Sequence, residues 1–206
     1  MKKFYVIAGA VIIIVAVVIM VFTFIMPKGA DVKQFEYLVN PQISEKADET
    51  VIVTEVTGDP GELGVKAIGY LFKTYYKQKE TDKKGHLPAI KARWPLAFNT
   101  PKDQWKGYFA IPVPDSIKEL VLPENKDNQK VEIQKWQYGT VAEILHKGGY
   151  DKETPTIERL NAYIDSMGYK IIGDHEEEYV KGPGMFSKGN PDKYITIIRY
   201  RIEKKK

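Results

Sequence analysis

The sequence predicts an α+β fold in which a strand–helix–strand–strand unit occurs twice, behind one transmembrane helix. Three observations predict it: an uncharged apolar run near the N-terminus, two helices that begin beside a proline, and β-branched or aromatic runs around each helix. In this arrangement a pseudo-two-fold axis relates the two units, and their antiparallel sheets carry the helices on one side.

The apolar run covers residues 4–26 and contains no charged side chain. As a helix it would be about 35 Å long, enough to cross a bilayer core of about 30 Å. It is not followed by the small-x-small site of a cleaved signal peptide. We therefore expect residues 1–26 to be an anchor that contacts the membrane through 4–26. The lysines before the run favour a single-pass protein with an extracytoplasmic body.

Composition excludes several classes of protein. The chain has 206 residues, no cysteine and a net charge of +4. Lys2 and Lys3 are the only charged residues before residue 27, so the body carries +2. This small excess does not indicate a polyanionic partner, and we expect no nucleic-acid binding. The lack of cysteine excludes disulfide-stapled miniproteins and cysteine-ligated zinc or iron–sulfur sites.

Residues 27–34 are predicted to be a linker, and a strand is predicted over 35–39. A polar stretch separates it from a second strand, the β-branched run 51–56. Asp59 is a suitable N-cap and Pro60 suits the first helical position, so a helix should begin there. Apolar residues follow at helical spacing to about Lys77. Two more strands are predicted over 89–98 and 105–113.

The second half of the chain has the same order of elements. A helix should begin at Thr154-Pro155 and end before Gly168, a residue type that often follows a helix. Its four predicted strands cover residues 131–137, 140–146, 175–180 and 194–202.

The segments TVIVTEVTG (50–58) and TVAEILHKG (140–148) share their terminal residue types, which supports a repeat. We expect one domain over 35–206, with halves of about 35–114 and 128–203. The seam between two such halves is a natural position for a cleft.

The usual catalytic motifs are absent: there is no H-E-x-x-H, G-x-S-x-G or phosphate-binding loop. The histidines His86, His146 and His175 are far apart in sequence and are interpreted as ordinary surface or strand residues. No metal site and no cofactor are predicted.

Three consecutive glutamates, Glu176 to Glu178, are unusual in a predicted strand. Alternation places His175, Glu177 and Tyr179 on one face, and Glu176 and Glu178 on the other. The run is either a solvated, charged edge strand or the source of a carboxylate in an aromatic-lined cleft. In the second case the carboxylate would attract cations, helped by aromatic faces.

Aromatic residues on the predicted strands are numerous enough to line such a cleft. We expect Trp94, Tyr108 and Trp136 to contribute, although each could instead belong to the core.

The second half resembles the GyrI-like small-molecule-binding domain, the effector-binding domain also found behind AraC-type and MerR-type DNA-binding regions. The resemblance rests on VEIQKWQYGTVAEILHKGGY, on TIERLNAYIDSMGYKIIGDHEEEYVKGPG and on the last strand, in that order. It implies a tandem-repeat fold with a ligand cleft between the repeats and an acidic residue at the base of the cleft. The E-x-Y pattern of the family corresponds to Glu177 and Tyr179, and Tyr150 matches the tyrosine of its H-x-G-x-Y turn.

The sequence departs from the regulators of this family because a helix-turn-helix region is absent. Glutamates on both sides of Glu177 also leave open which of Glu176, Glu177 and Glu178 faces the cleft. The function predicted first is a membrane-anchored binding protein with an acidic, aromatic-lined cleft for lipophilic or cationic small molecules. The alternatives are a hydrolase of electrophilic xenobiotics, in which Glu177 would be the catalytic base, and a structural or interaction domain.

Overall fold

A computed structural model of the chain describes residues 31–58, 60–83, 87–95, 104–124, 128–183 and 189–206, with backbone alone at 60–63. Within these ranges nine strands form an antiparallel sheet in the order β1-β6-β9-β8-β3-β4-β2-β5, with β7 paired to β9. The strands are β1 Gln42–Lys46, β2 Glu49–Thr57, β3 Ile90–Trp94, β4 Lys106–Pro112, β5 Glu132–Trp136, β6 Gly139–Lys147, β7 Tyr169–Ile171, β8 His175–Lys181 and β9 Ile195–Lys204.

Two α-helices accompany the sheet in the described ranges: α1 Pro60–Lys77 and α2 Thr154–Ser166. Three 3₁₀ helices lie at Val32–Val39, Tyr150–Lys152 and Pro191–Lys193. The sheet and both helices belong to a unit of residues 29–81 and 88–206. A second unit comprises 1–28 and 82–87, of which the structure describes 82, 83 and 87.

Both α-helices pack on the same side of the sheet, which we call the helix face. Leu160 and Ile164 of α2 cluster with Ile144 and Ile198 of the central strands. In α1, Gly64 lies against the ring of Phe109, where an added Cβ would be 3.3 Å from the ring. Full burial of one such leucine or isoleucine contributes about 1.5–3 kcal/mol, so this packing is a main source of stability.

The other side of the sheet, which we call the opposite face, has two apolar clusters. The 3₁₀ helix at Val32–Val39 covers one of them by placing Leu38 on Leu145 and Ile197. Val51, Val53, Ala110, Trp136, Tyr138 and Val141 form the other. A strand that is buried on both faces has a continuous run of apolar residues in its sequence. In β2 this run is Val51, Ile52 and Val53, all of which are buried.

The predicted mixed class of helices and antiparallel strands is confirmed, and α1 begins at Pro60 as predicted. Asp59, its predicted N-cap, lies outside the described residues. The twofold repeat of the unit stays a prediction.

The strand predicted over 35–39 is wrong. This segment is part of the 3₁₀ helix Val32–Val39, and the Asp31 side chain accepts a hydrogen bond from the Lys33 N–H at 3.1 Å. The first strand is instead β1, in the polar stretch that follows. β1 pairs with β6 alone and is largely exposed, so its sequence carries little apolar signal.

The predicted single-pass membrane localisation is corrected. Across the part of the chain that the structure describes, no helix is both long enough and apolar enough to cross a bilayer. The predicted anchor, residues 4–26, lies outside those described residues.

Candidate functional site

One row of directly opposed residues crosses the five central strands on the helix face. It runs Phe109, Ala92, Glu177, Ile198 and Ile144, from β4 through β3, β8 and β9 to β6. Opposed residues of antiparallel strands point to the same face. Glu177 is the one polar member of this row, and it is 7% exposed. A carboxyl group in such a position must be stabilised by specific partners.

Two partners of Glu177 come from its own strand. His175 Nε2 lies 2.9 Å from one Glu177 oxygen, and the Tyr179 hydroxyl donates to the other. His175 is held in turn by Tyr200, whose hydroxyl lies 2.8 Å from Nδ1. Burial raises the pKa of Glu177, but His175, Tyr179 and Glu153 lower it further, so its pKa lies below the ordinary value. Glu177 is therefore a buried carboxylate that stays charged at neutral pH.

A second buried carboxyl group lies beside Glu177. Glu153 precedes α2 and is 5% exposed. Burial, the charge of Glu177 and a hydrogen bond to Glu177 raise the pKa of Glu153 to about 9. Neighbouring like charges separate two pKa values in this way, because both groups cannot ionise cheaply together. The pair thus combines an ionised and a protonated carboxyl group.

Donor atoms of Glu153, His175 and Glu177 lie within 4.8 Å of one another, which is the spacing of a metal site. His175 and Glu177 already hydrogen-bond to each other at 2.9 Å, and a metal ion would have to break that bond. We therefore interpret the group as a hydrogen-bonded cluster and not as a set of metal ligands.

Aromatic rings flank the cluster on two sides. Tyr150 has ring contacts with Tyr179 at 5.3 Å and with Tyr194 at 5.4 Å between centroids. Tyr150 is 41% exposed, so this side is open to solvent.

On the other side Trp94 contacts Trp105 at 5.8 Å and Phe109 at 5.6 Å between centroids. Gly107 allows this position, because an added Cβ there would collide with the Trp94 ring. Trp94 is opposite His175 in the sheet, so its indole borders the cluster.

Two buried polar atoms of this region, Trp94 Nε1 and Glu153 Oε1, have no hydrogen-bond partner among the described residues, and the Thr196 hydroxyl lies beside Glu153. Thr196 is opposite Tyr179 and so shares the helix face. Buried polar atoms are almost always paired, because each unpaired one costs about 1–3 kcal/mol. The Trp94 and Glu153 atoms on the helix face are therefore positions where a ligand or water could supply a hydrogen-bond partner.

The opposite face has a row of a different kind. It consists of residues that lie directly opposite one another on β3, β8, β9 and β6. Positive and negative charges alternate along it in the order Arg93, Glu176, Arg199 and Glu143. Arg199 donates to Glu143 at 2.5 Å and also to Glu176, and Arg93 donates to Glu176 at 2.8 Å. The Tyr138 hydroxyl donates to Glu176 at 2.9 Å. Arg93 Nη2 is the one buried polar atom of this row without a hydrogen-bond partner among the described residues.

Glu178 belongs to the same network. Arg199 donates to it at 3.0 Å, and Lys91 lies 3.5 Å away. Burial raises the pKa of Glu178, but Lys91 and Arg199 lower it further, to about 2. Of the three consecutive glutamates, Glu177 alone faces the helices, and it has no lysine or arginine partner among the described residues.

The structure brings together four of the six predicted ligand-binding residues: Glu177, Tyr179, Tyr150 and Trp94 border the site on the helix face. Tyr108 and Trp136 do not join them. Tyr108 is opposite Arg93 in the sheet. The ring of Trp136 lies 3.9 Å from the Arg93 guanidinium. Both belong to the opposite face, because strand register, which the sequence does not reveal, decides which face each side chain occupies.

Sequence reasoning missed Glu153, His146 and His175 as members of the site. His146 is opposite Thr196 on the helix face, and its Nδ1 lies 2.9 Å from the Thr156 hydroxyl. Burial lowers the pKa of His146, so it is neutral at neutral pH. The alternation of the segment HEEEY did give a signal for His175. His86 lies outside the described residues.

A cavity of about 240 Å³ lies on the opposite face, lined in part by Arg93, Tyr138, Glu176 and Arg199. Its walls are mainly groups that already pair with one another. The unpaired groups around Glu177 make the helix face the stronger candidate for ligand binding.

A sequence model described as the GyrI-like small molecule binding domain matches residues 40–202. The chain belongs to the GyrI-like family. This confirms the resemblance found in the sequence. The match extends over both halves of the chain. No curated protein sequence matches the chain significantly.

Solved structures share the GyrI-like fold of this chain. A conserved protein from Listeria innocua is 18% identical, with a TM-score of 0.67 over 84% of this chain and 99% of that chain. A hydrolase from Listeria innocua is 17% identical, with a TM-score of 0.67 over 85% and 100%. EcmrR in a complex with DNA is 15% identical, with a TM-score of 0.58 over 99% and 68%. At sequence identities this low, the structural similarity shows that the fold is shared and nothing more.

Proposed function

We propose that the helix-face site binds lipophilic small molecules and prefers those that carry a positive charge. The observation that carries this proposal is Glu177, a buried and ionised carboxylate that no described lysine or arginine neutralises. Its neighbours Glu176 and Glu178 are paired with arginine on the other face. A cation beside Glu177 would add a full positive charge to the hydrogen bonds that His175 and Tyr179 already make with this carboxylate.

The aromatic rings supply the second part of the recognition. Burial of apolar ligand surface contributes about 25 cal/mol per Å², and a cation over a tyrosine or tryptophan face adds about 0.5–2 kcal/mol. Tyr150 and Tyr179 lie on one side of Glu177 and Trp94 on the other. A flat aromatic cation fits this combination better than a flexible aliphatic one.

The test compares two ligands of matched shape, N-methylquinolinium and the neutral 1-methylnaphthalene, by calorimetric titration. We expect the wild type to bind the cation more tightly. Glu177→Gln should weaken binding of the cation by about tenfold or more, equivalent to about 1.4 kcal/mol, and leave the neutral ligand nearly unchanged.

Glu158→Gln is the control, because Glu158 is exposed on α2 and the substitution removes the same charge. The proposal is wrong if both variants bind the cation as the wild type does, or if the wild type does not distinguish the two ligands.

A second candidate function is hydrolysis of strained electrophiles, and the Glu153–Glu177 pair favours it. Two carboxyl groups with separated pKa values are a common arrangement for general acid–base catalysis. Glu177 would accept a proton from the attacking water, while Glu153 would protonate the oxygen of an opening ring. The Trp94 indole N–H, which has no acceptor among the described residues, could hydrogen-bond to the same oxygen.

Incubation with styrene oxide followed by mass spectrometry tests this candidate. Addition of water gives the phenylethane diol, and we expect its rate of formation to fall at least a hundredfold in both Glu177→Gln and Glu153→Gln. Diol formation no faster than in buffer would leave ligand binding as the function.

We also propose that residues 35–206 form one domain built from two related halves, about 35–114 and 128–203. The order β2-α1-β3-β4 in the first half and β6-α2-β8-β9 in the second, where the short strand β7 is added after α2, supports this. Gly58 after β2 and Gly148 after β6 both have positive φ, at 123° and 141°. Superposition of an experimental structure on itself should relate the two halves by a rotation near 180°.

A further inference from the structure

Only one of the two carboxyl groups of the site can ionise without strong electrostatic repulsion from the other. Glu153 and Glu177 are 5% and 7% exposed, and their oxygens lie within 4.8 Å of each other. Two buried like charges at this distance are strongly unfavourable. A positive charge close to both carboxyl groups, from a proton or from another cation, would relieve this repulsion.

The hydrogen bonds of the two carboxyl groups indicate that Glu153 is the one that carries a proton. Glu177 already accepts from Tyr179 and pairs with His175, so its two oxygens have partners. Glu153 Oε1 has no partner among the described residues. A proton on Glu153 lets that carboxyl group donate to Glu177 and relieves the repulsion.

We propose that Glu153 and Glu177 hold a single proton between them, and that a cationic ligand displaces this proton when it binds. The inference rests on the proposed function, because it concerns how the same site accepts a cation. It assigns Glu153, which the family resemblance did not single out, as the residue that adjusts the charge of the site. The ligand class is an organic cation without a dissociable proton of its own.

The groups that face the pair limit what else can titrate with it. His175 and Tyr179 come from β8, Thr196 from β9, His146 from β6, and Tyr150 from the 3₁₀ helix before α2. Burial raises the pKa values of Tyr150 and Tyr179, so both stay neutral. Burial lowers the pKa of His146, so it also stays neutral.

The direction of the pH dependence follows from this exchange. The pKa of Glu153 in the free protein is about 9. A cation about 4 Å away, at an effective dielectric constant near 20, favours the ionised form of Glu153 by about a thousandfold. Binding at pH 7.5 therefore releases about one proton. Affinity should rise by up to about tenfold per pH unit between about pH 6 and pH 9, and level off above that.

Calorimetric titration of the intact chain with N-methylquinolinium tests this exchange. Titrations in phosphate and in Tris at pH 7.5 give the number of protons released, because the two buffers have different ionisation enthalpies. We expect about one proton from the wild type and about none from Glu153→Gln. Glu158→Gln, which alters an exposed carboxyl group, should release the same number as the wild type.

The outcomes separate the inference from the proposed function. No binding of N-methylquinolinium would overturn both. Binding without proton release, and with the same affinity at pH 7 and pH 9, would overturn the inference and leave cation binding intact.

Carbon-13 NMR of glutamate-labelled wild-type protein gives an answer even if Glu153→Gln does not fold. One glutamate carboxyl should titrate near pH 9 in the free protein and below about pH 7 when N-methylquinolinium saturates the site. If every glutamate is already ionised at pH 7 in the free protein, the shared proton does not exist.

Discussion

Three adjacent side chains of the same type have different chemistry in this protein because the strand that carries them alternates. Glu176 and Glu178 enter a network of buried arginine and lysine, whereas Glu177 hydrogen-bonds to His175 and Tyr179 on the helix face. Alternation predicts this separation from the sequence. Pairing of β8 with β3 and β9, which are distant in the chain, decides whether its odd-numbered or even-numbered residues face the helices.

Arg199 is the residue on which the opposite-face network depends. It is 3% exposed and pairs with Glu143, Glu176 and Glu178. We predict that Arg199→Met lowers the free energy of unfolding by about 3–5 kcal/mol, because it leaves Glu143 without its basic partner and removes one basic partner from each of Glu176 and Glu178. Urea denaturation at pH 7 measures this loss. Arg159→Met, at an exposed position on α2, should change the free energy of unfolding by less than about 0.5 kcal/mol.

The raised pKa of Glu153 predicts a pH dependence of stability. In the unfolded chain a glutamate loses its proton near pH 4.5, but in the folded protein Glu153 keeps it to about pH 9. The unfolded state therefore binds fewer protons between these values. The stability that Glu153 contributes is fully present below about pH 4.5 and is lost as pH rises, by up to about 1.4 kcal/mol per pH unit.

Glu153→Gln removes that dependence, because its amide does not titrate. Urea denaturation of both proteins from pH 5 to pH 8.5 should show the variant gaining stability relative to the wild type at each step. Parallel curves would show that Glu153 is not protonated in the folded protein.

At the scale of elements, local sequence signals located both helices and several strands, but they did not reveal which strands pair. Proline near the start of each helix and glycine after α2 located both helices, and the β-branched runs located β2 and β9. The polar edge strand β1 was not predicted, because its stability comes from pairing with β6. For the same reason the sequence could not assign Tyr108 and Trp136 to a face.

Glycines in different elements should respond differently to alanine. Gly148 ends β6 with a φ of 141°, and an added Cβ would lie 3.2 Å from His146 Nε2. Gly69, inside α1, has nothing within 4 Å of an added Cβ. We predict that Gly148→Ala destabilises the protein by more than about 1 kcal/mol, and that Gly69→Ala stabilises it by about 0.5–1 kcal/mol. Thermal unfolding of both variants checks the opposite signs.

At the scale of the whole sheet unit, β3, β8 and β9 carry the candidate ligand site on one face and a network of ion pairs on the other. The fold class and the family could be inferred from the order of the elements. The second carboxyl group could not, because Glu153 precedes a helix and meets Glu177 only through tertiary packing.

Ligand binding should stabilise this unit as a whole. A ligand that binds only the folded state adds about 2.7 kcal/mol to the free energy of unfolding when its concentration is one hundred times Kd. We predict that N-methylquinolinium raises the Tm of the wild type by several degrees, and raises that of Glu177→Gln less at equal concentration. Differential scanning fluorimetry checks this, with Arg159→Met as a variant that should respond like the wild type.

The alternation along β8 has a consequence for how this protein can change over evolution. Substitutions at 175, 177 and 179 would alter the chemistry of the proposed ligand site, whereas Glu176 and Glu178 hold the arginine network together. New specificities can therefore arise at odd-numbered positions while even-numbered positions keep the chain folded. A single-residue insertion in this strand would exchange the two sets, and both properties would be lost together.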